Sequence, residues 1–343
     1  MRWQGLRLSV TLLTVIPWRR PGNEAGAPPP RATVAAAMAW APAVGLLLGV
    51  IASAVLVVAD HALGTGPLTA AGLAVGSLAL LSRGLHLDGL ADLADGLGSG
   101  KPAPTALEIM RRPDIGPLGT AALVLTLTIQ VAALAHAESA GHGRGATALI
   151  AAVVTGRLAI TWACRRGVPA ARREGLGAFV AGTVRPAIPV MTTLVTLAVA
   201  IAAVVTCSAV TGEPLGWTLP LAVGAGLVVA SGLEQHAVRR LGGITGDVLG
   251  ALAEVTAAVV LIVASMGPRA LPQRAEARAV TYGSAHRSAL QCSPAPGRRL
   301  PPSAIAPGTS SPRDRRASGS SGRPGAGSAD SPRYPGELRR SRS

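Results

Sequence analysis

Two windows, 35–58 and 191–205, run without a single charged side chain, and nothing else in the chain narrows its possible folds as much. A helix at a protein's surface needs one solvated face, so a stretch that is apolar all round lies in protein or in lipid. Only 14% of the 343 residues are charged, too few to give such segments a water-soluble coat. Apolar periodicity marks seven segments, near 34–59, 66–82, 118–137, 146–163, 188–210, 216–233 and 249–266. Those at 66–82, 146–163, 216–233 and 249–266 are short against the roughly 20 residues that a bilayer asks for, so one or two are expected to be re-entrant or steeply tilted. The segments are rich in Ala, Gly, Val, Leu and Thr, which lets helices pack closely. The expected fold is all-α: a polytopic membrane protein of about six to seven transmembrane helices, with active-site loops in the cytoplasm.

Loop charge supplies the orientation. The connections at 60–65 and 211–215 carry no Lys or Arg, and 138–145 carries only Arg144. The others hold Arg19, Arg20 and Arg31; Arg83, Lys101, Arg111 and Arg112; Arg165, Arg166, Arg172, Arg173 and Arg185; and Arg239 and Arg240. The positive-inside rule assigns this second set to the cytoplasmic side of a cell inner (plasma) membrane, so every polar motif falls on one face. The opening stretch, 6–18, is interrupted by Arg7 and lacks a convincing cleavage site. It reads as a retained segment lying in or dipping into the membrane face rather than a signal peptide. Cys164, Cys207 and Cys292 show no paired spacing, so neither a disulfide framework nor a zinc site is indicated.

The net charge is +15, and it is concentrated late: from Arg269 onward, 14 arginines stand against four acids. An integral-membrane domain is therefore expected over 1–267. A disordered tail over 268–343, dense in Arg, Pro, Ser and Gly, follows it. A frameshifted read of a GC-rich gene yields such a composition. Seven spans place this tail outside, against the charge rule, and it is assigned no function.

Between the second and third apolar segments stands His86-Leu87-Asp88-Gly89-Leu90-Ala91-Asp92-Leu93-Ala94-Asp95-Gly96. Asp88, Asp92 and Asp95, at i, i+4 and i+7, share one side of a helix. Like charges that close raise one another's pKa unless a cation sits among them. Hard carboxylate oxygens suit Mg²⁺, which is commonly held by a few carboxylates together with a substrate's phosphates. The pattern therefore points to metal-dependent phosphoryl transfer at a membrane face, the plain alternative being an interfacial helix with solvated charges. Gly89 and Gly96 admit a backbone or a bulky ligand. His86 is a candidate general base or metal ligand, although a lone histidine is more often a structural hydrogen-bonder.

Three further segments carry candidate groups. Arg111 and Arg112 precede a turn at Pro113 and Gly116, and guanidinium forks match phosphate oxygens. Arg172, Glu174 and Gly175 fall in Ala171-Arg172-Arg173-Glu174-Gly175-Leu176-Gly177-Ala178-Phe179. Topology explains its arginines in part but not its glycine turn, which suits a phosphate or nucleotide. In Arg239-Arg240-Leu241-Gly242-Gly243-Ile244-Thr245-Gly246-Asp247-Val248-Leu249-Gly250, glycines including Gly243 and Gly246 surround Thr245 and Asp247 at the start of a span. A glycine-rich hinge is the plain alternative there.

Taken together, RGLHLDGLADLADG (83–96), ALEIMRRPDIGPLG (106–119), ARREGLGAF (171–179) and GGITGDVLGALAE (242–254) resemble the cobalamin synthase family, the adenosylcobinamide-GDP ribazoletransferases. SVTLLTVIPW and APAVGLLLGV near the start resemble that family's N-terminal region. Members generally carry Arg-Asp where this chain has Arg112-Pro113-Asp114, and they end soon after the last helix. The resemblance implies an enzyme that joins α-ribazole, or its 5′-phosphate, to adenosylcobinamide-GDP, releasing GMP and forming adenosylcobalamin with Mg²⁺. The residue chemistry fits that reaction independently: Asp88, Asp92 and Asp95 are expected to hold Mg²⁺ against the pyrophosphate, and Arg111, Arg112 and Arg172 to stabilise the phosphoryl oxygens. Either Asp95 or Asp247 is the expected base that takes the proton from the ribazole 5′-hydroxyl. Membrane lipid is the expected surrounding, nucleic acid is not a partner, and other corrinoid-assembly enzymes or a second copy are candidate partners. A CDP-alcohol phosphotransferase ranks second, because its Asp-Gly-x-x-Ala-Arg pattern needs an Arg where this chain has Leu93-Ala94. A Mg²⁺- or proton-coupled transporter ranks third, since its acids belong near mid-membrane and these lie in loops or at span ends.

Overall fold

The computed structural model describes residues 2–16, 18, 29–141, 143–211 and 217–266. The tail expected over 268–343 lies outside the described residues, as do Arg19 and Arg20. Among the described residues the regular structure is helical. It comprises α1 (Arg2–Leu13), α2 (Arg31–Val57) running into a π turn (Val58–Ala62), α3 (Pro67–Leu81), α4 (Leu85–Gly98), α5 (Ala103–Ile109) and α6 (Pro117–Ser139). Then come α7 (Arg144–Ala163), α8 (Leu176–Val180), α9 (Ala187–Thr211), α10 (Thr218–Leu241) and α11 (Gly246–Ser265). Among the described residues, two isolated bridges, Arg165 with Val184 and Ala170 with Ile244, supply the β pairing.

Among the described residues, six helices are long and apolar enough to cross a membrane: α2 with its π turn, α6, α7, α9, α10 and α11. Large apolar side chains such as Val124, Leu125, Val199 and Val228 stand exposed on them, as a lipid-facing surface requires. α3 has 15 residues, about 22 Å of helix, and meets α4 at 89°. We read α3 as a seventh, short crossing and α4 as lying across its end, outside the crossing segments. The chain is thus an all-α polytopic membrane protein, and of the segments expected to be short, the one at 66–82 is where the helix breaks.

The corner between α3 and α4 consists of two successive left-handed residues, Arg83 (φ 56°) and Gly84 (φ 67°). For a residue with a Cβ that backbone costs roughly 1–2 kcal/mol, so the corner needs support. The chain just after α1 provides it: Val15 N–H donates to the Leu81 carbonyl (2.7 Å) and Arg83 Nη2 to the Thr14 carbonyl (3.4 Å). α1 itself packs along α2, burying Ser9, Val10 and Leu13.

α11 is the central element, packed against α4, α6, α7 and α10. Small residues set its distance from α7, where a Cβ added at Gly156 would stand 2.7 Å from the Ala253 carbonyl. Two polar side chains inside the bundle tie helices together: Gln130 donates to Glu254 Oε2 (2.9 Å), and Thr161 to the Met38 carbonyl (2.8 Å). The alternation of the helices gathers α4, α5, α8 and the segments 164–186 and 242–246 at one end of the bundle. The π turn and the α6–α7 turn lie at the other.

Candidate active site

α4 reaches the start of α11 because neither helix has a side chain at the crossing. A Cβ at Gly89 would stand 2.9 Å from the Asp247 Cα and 2.8 Å from its carbonyl, and one at Gly250 would stand 2.9 Å from the His86 carbonyl. This interlock brings Asp88 and Asp92, one turn apart, beside Asp247. Asp247 is the first acid of α11, and Thr245 caps that helix, its hydroxyl accepting from Val248 N–H (3.2 Å). The same hydroxyl donates to Asp247 Oδ2 (3.2 Å).

Arg172 is delivered from the third polar segment. Two backbone bonds stitch that segment to the loop before α11: Ala171 N–H donates to the Ile244 carbonyl (3.0 Å), and Ile244 N–H to the Pro169 carbonyl (2.9 Å). Gly243 has its place here, because any side chain would collide with Ala170 and Ala171. Arg172 Nη2 then donates to the Leu107 carbonyl at the end of α5 (2.6 Å), while Nη1 stands 3.8 Å from Asp247 Oδ2. Burial lowers the pKa of Arg172, Asp247 raises it and Arg111 lowers it; guanidinium stays charged at neutral pH all the same.

These groups border an open cleft of ≈ 170 Å³ lined by Asp88, Arg172, Glu174, Gly175, Thr245 and Asp247, among others. Gly175, at φ 89°, adopts a backbone that favours glycine, and Gly246 opens α11 at the cleft wall. The electrostatics call for a cation. The Asp92 carboxyl is pushed up to about 6, first by burial, then by Asp88, Asp247 and Asp95, with Arg172 pulling the other way. Yet the acids do not close on one another. Among the described residues, only Asp60, His61 and Glu138 bring ligand atoms of three such groups within 4.8 Å of each other. A divalent ion at the cleft would therefore share its coordination with water and ligand oxygens, which is how Mg²⁺ is commonly held. The donor set fits Mg²⁺ in that open form and does not fit a closed three-carboxylate cage.

The remaining candidates lie elsewhere. Asp95 does not line the cleft; its Oδ2 accepts from Gly116 N–H (2.7 Å) and its Oδ1 from Gly119 N–H (2.8 Å). It caps α6 and so fastens α4 to that helix. His86 is 2% exposed and faces the interior, where Arg157 Nη2 donates to its Nδ1 (3.4 Å). Burial and Arg157 hold it well below the usual histidine pKa, so it is neutral at physiological pH. Arg111 is exposed but near enough to act on Arg172; Arg112 is exposed and not part of the cleft wall. Sequence reasoning did not assign the Leu107 carbonyl that holds Arg172, the Thr245 hydroxyl that holds Asp247, or the pairing of Arg157 with His86. Only Thr245 carried a signal, as a helix-capping residue type just before an apolar run.

The model of the family described as cobalamin-5-phosphate synthase matches residues 5–265. Among curated proteins, an adenosylcobinamide-GDP ribazoletransferase of Frankia casuarinae is 43% identical over 267 residues, covering 76% of this chain and 94% of the relative. Proteins of the same name are 39% identical in a Nocardioides species (75% and 96% covered) and 36% identical in Bradyrhizobium diazoefficiens (76% and 92%). No solved structure matches the chain.

Proposed function

The chain belongs to the cobalamin-5-phosphate synthase family and is a transferase, and on that premise we propose that it joins α-ribazole, or its 5′-phosphate, to adenosylcobinamide-GDP. A ribose hydroxyl oxygen of the ribazole attacks the phosphorus next to the corrinoid. The bond from that phosphorus to the bridging oxygen breaks, GMP leaves with the bridging oxygen, and the proton passes to a carboxylate. The observation that carries this reading is the meeting of Asp88, Asp247 and Arg172 in one cleft wall, with Asp92 close enough to interact electrostatically with all three.

Asp88 and Asp92 would hold Mg²⁺ with the diphosphate oxygens, and the bound ion supplies charge neutralisation on the diphosphate. Arg172, tied at one amino group to Leu107, offers its other to a non-bridging oxygen, and Arg111 adds positive charge behind it. Asp247 is the better of the two candidate bases. It is partly exposed in the cleft wall, whereas both oxygens of Asp95 already accept amide donors. His86 acts through position alone, seating α4 on Arg157.

Among the described residues, the cleft end carries Arg83, Lys101, Arg111, Arg112, Arg165, Arg166, Arg172, Arg173, Arg185, Arg239 and Arg240, against Arg144 at the other. This asymmetry supports a cleft facing the cytoplasm from a plasma membrane. The test is release of GMP by purified protein in liposomes, given adenosylcobinamide-GDP, α-ribazole and Mg²⁺. GMP release that depends on both substrates and stops with a chelator is expected. Release of CMP from a CDP-alcohol, or ion flux without GMP, would replace this reading with one of its rivals.

A further inference from the structure

We propose that Asp60, His61 and Glu138, at the end of the bundle opposite the cleft, form a binding site for a divalent transition metal of the Zn²⁺ type. The site stands apart from the cleft and owes nothing to its chemistry. Asp60 and His61 sit in the π turn that ends α2, and Glu138 is at the end of α6. His61 lies between the carboxylates, with Nδ1 3.6 Å from Asp60 Oδ2 and Nε2 3.4 Å from Glu138 Oε1. One ligand atom from each residue lies within 4.8 Å of the other two.

A second observation comes from Glu138 itself. Its side chain is 2% exposed, and its Oε2 is fully buried with no hydrogen-bond partner. Gly145, at the start of α7, makes room for it, since a Cβ there would stand 2.9 Å from the Glu138 Cβ. A buried carboxylate with an unmet oxygen costs free energy unless a cation completes it. The cation is indicated by the donors. Imidazole with two carboxylates suits zinc and its neighbours, whereas Mg²⁺ prefers oxygen alone. His61, 65% exposed, is free to turn its ring toward roughly 2.0–2.2 Å bonds and leaves the remaining coordination to water. A bound ion would fasten the end of α2 to the α6–α7 turn.

The experiment uses the full chain in detergent without a histidine tag, excess Mg²⁺ to fill the cleft, and Zn²⁺ alone as the probe. Calorimetry should find one Zn²⁺ bound per chain, and the thermal midpoint should rise with Zn²⁺. His61→Ala and Glu138→Gln should each weaken binding by more than the roughly 10–100-fold that loss of a supporting group costs. Asp88→Asn should leave it unchanged. His61→Ala removes only an exposed ring, so its folded state is checked by unchanged GMP release. Absence of Zn²⁺ binding to the parent, or equal binding by His61→Ala, would overturn the proposal and leave an imidazole bridging two carboxylates.

Discussion

At the cleft end, Asp88 and Asp247 line open space together with Arg172, and Asp92 stands near enough to interact with all three. At the opposite end, two carboxylates close on one imidazole. The spacing is the difference that matters. Acids brought near one another by a glycine interlock, with a tethered arginine beside them, still leave room for phosphate oxygens and water, which suits a diphosphate. Acids drawn together around a histidine leave room for one small ion. The two ends thus separate turnover from fastening, and each can be perturbed without the other.

The strongest break is Asp92→Asn, which should lower GMP release at least about a hundredfold, as loss of one preorganised charge-stabilising group typically does. His61→Ala should leave that rate alone; an equal fall in both variants would dissolve the distinction between the ends. Next is Gly89→Ala, whose methyl must push α4 off Asp247. Overpacking of this kind costs about 1–3 kcal/mol, so a lower thermal midpoint together with reduced turnover is expected, and a neutral outcome would show that the interlock is not needed.

A pH series sharpens the cleft side. Asp92 titrates at about 6, above the ordinary carboxylate value of 3.8. A raised carboxylate pKa means that ionisation above pH 6 goes unrelieved in the empty cleft, and that protons compete with metal below it. The Mg²⁺ needed for half-maximal turnover should rise as pH falls through 6, approaching tenfold per unit, and stay nearly flat above pH 7. The smallest effect belongs to Asp95→Asn. Weakening the cap on α6 should cost about 1 kcal/mol of stability, seen in the thermal midpoint, with turnover reduced far less than in Asp92→Asn. If Asp95→Asn were the more damaging to turnover, Asp95 would belong with the metal ligands.

Much of this was legible in the chain itself, and the exceptions have physical causes. Charge-free length identified the crossings, and helical spacing set Asp88, Asp92 and Asp95 on one side of α4. Spacing gives a direction and not a neighbour: one turn further along, Asp95 meets the amides that open α6, and its carboxylate is used there. His86, two residues before Asp88, points to the opposite face of the same helix, which is why it meets Arg157 inside the bundle. The glycines of 242–250 mark Gly243 and Gly246 as candidate ligand-binding positions around Thr245 and Asp247, yet Gly243 serves packing while Gly246 lines the cleft. Asp60, His61 and Glu138 were beyond reach, because their meeting needs a π turn and the return of α6, neither of which spacing along the chain encodes.

The bond from Val15 to Leu81 gives the front of the chain leverage over chemistry it never touches. Trimming residues 2–15 would free the hinge from which the aspartate-bearing arm is hung, letting that arm swing while every acid stays intact. A fusion partner fixed to the front would tug on the same joint, so a bulky reporter there is a handle on catalysis as much as a label.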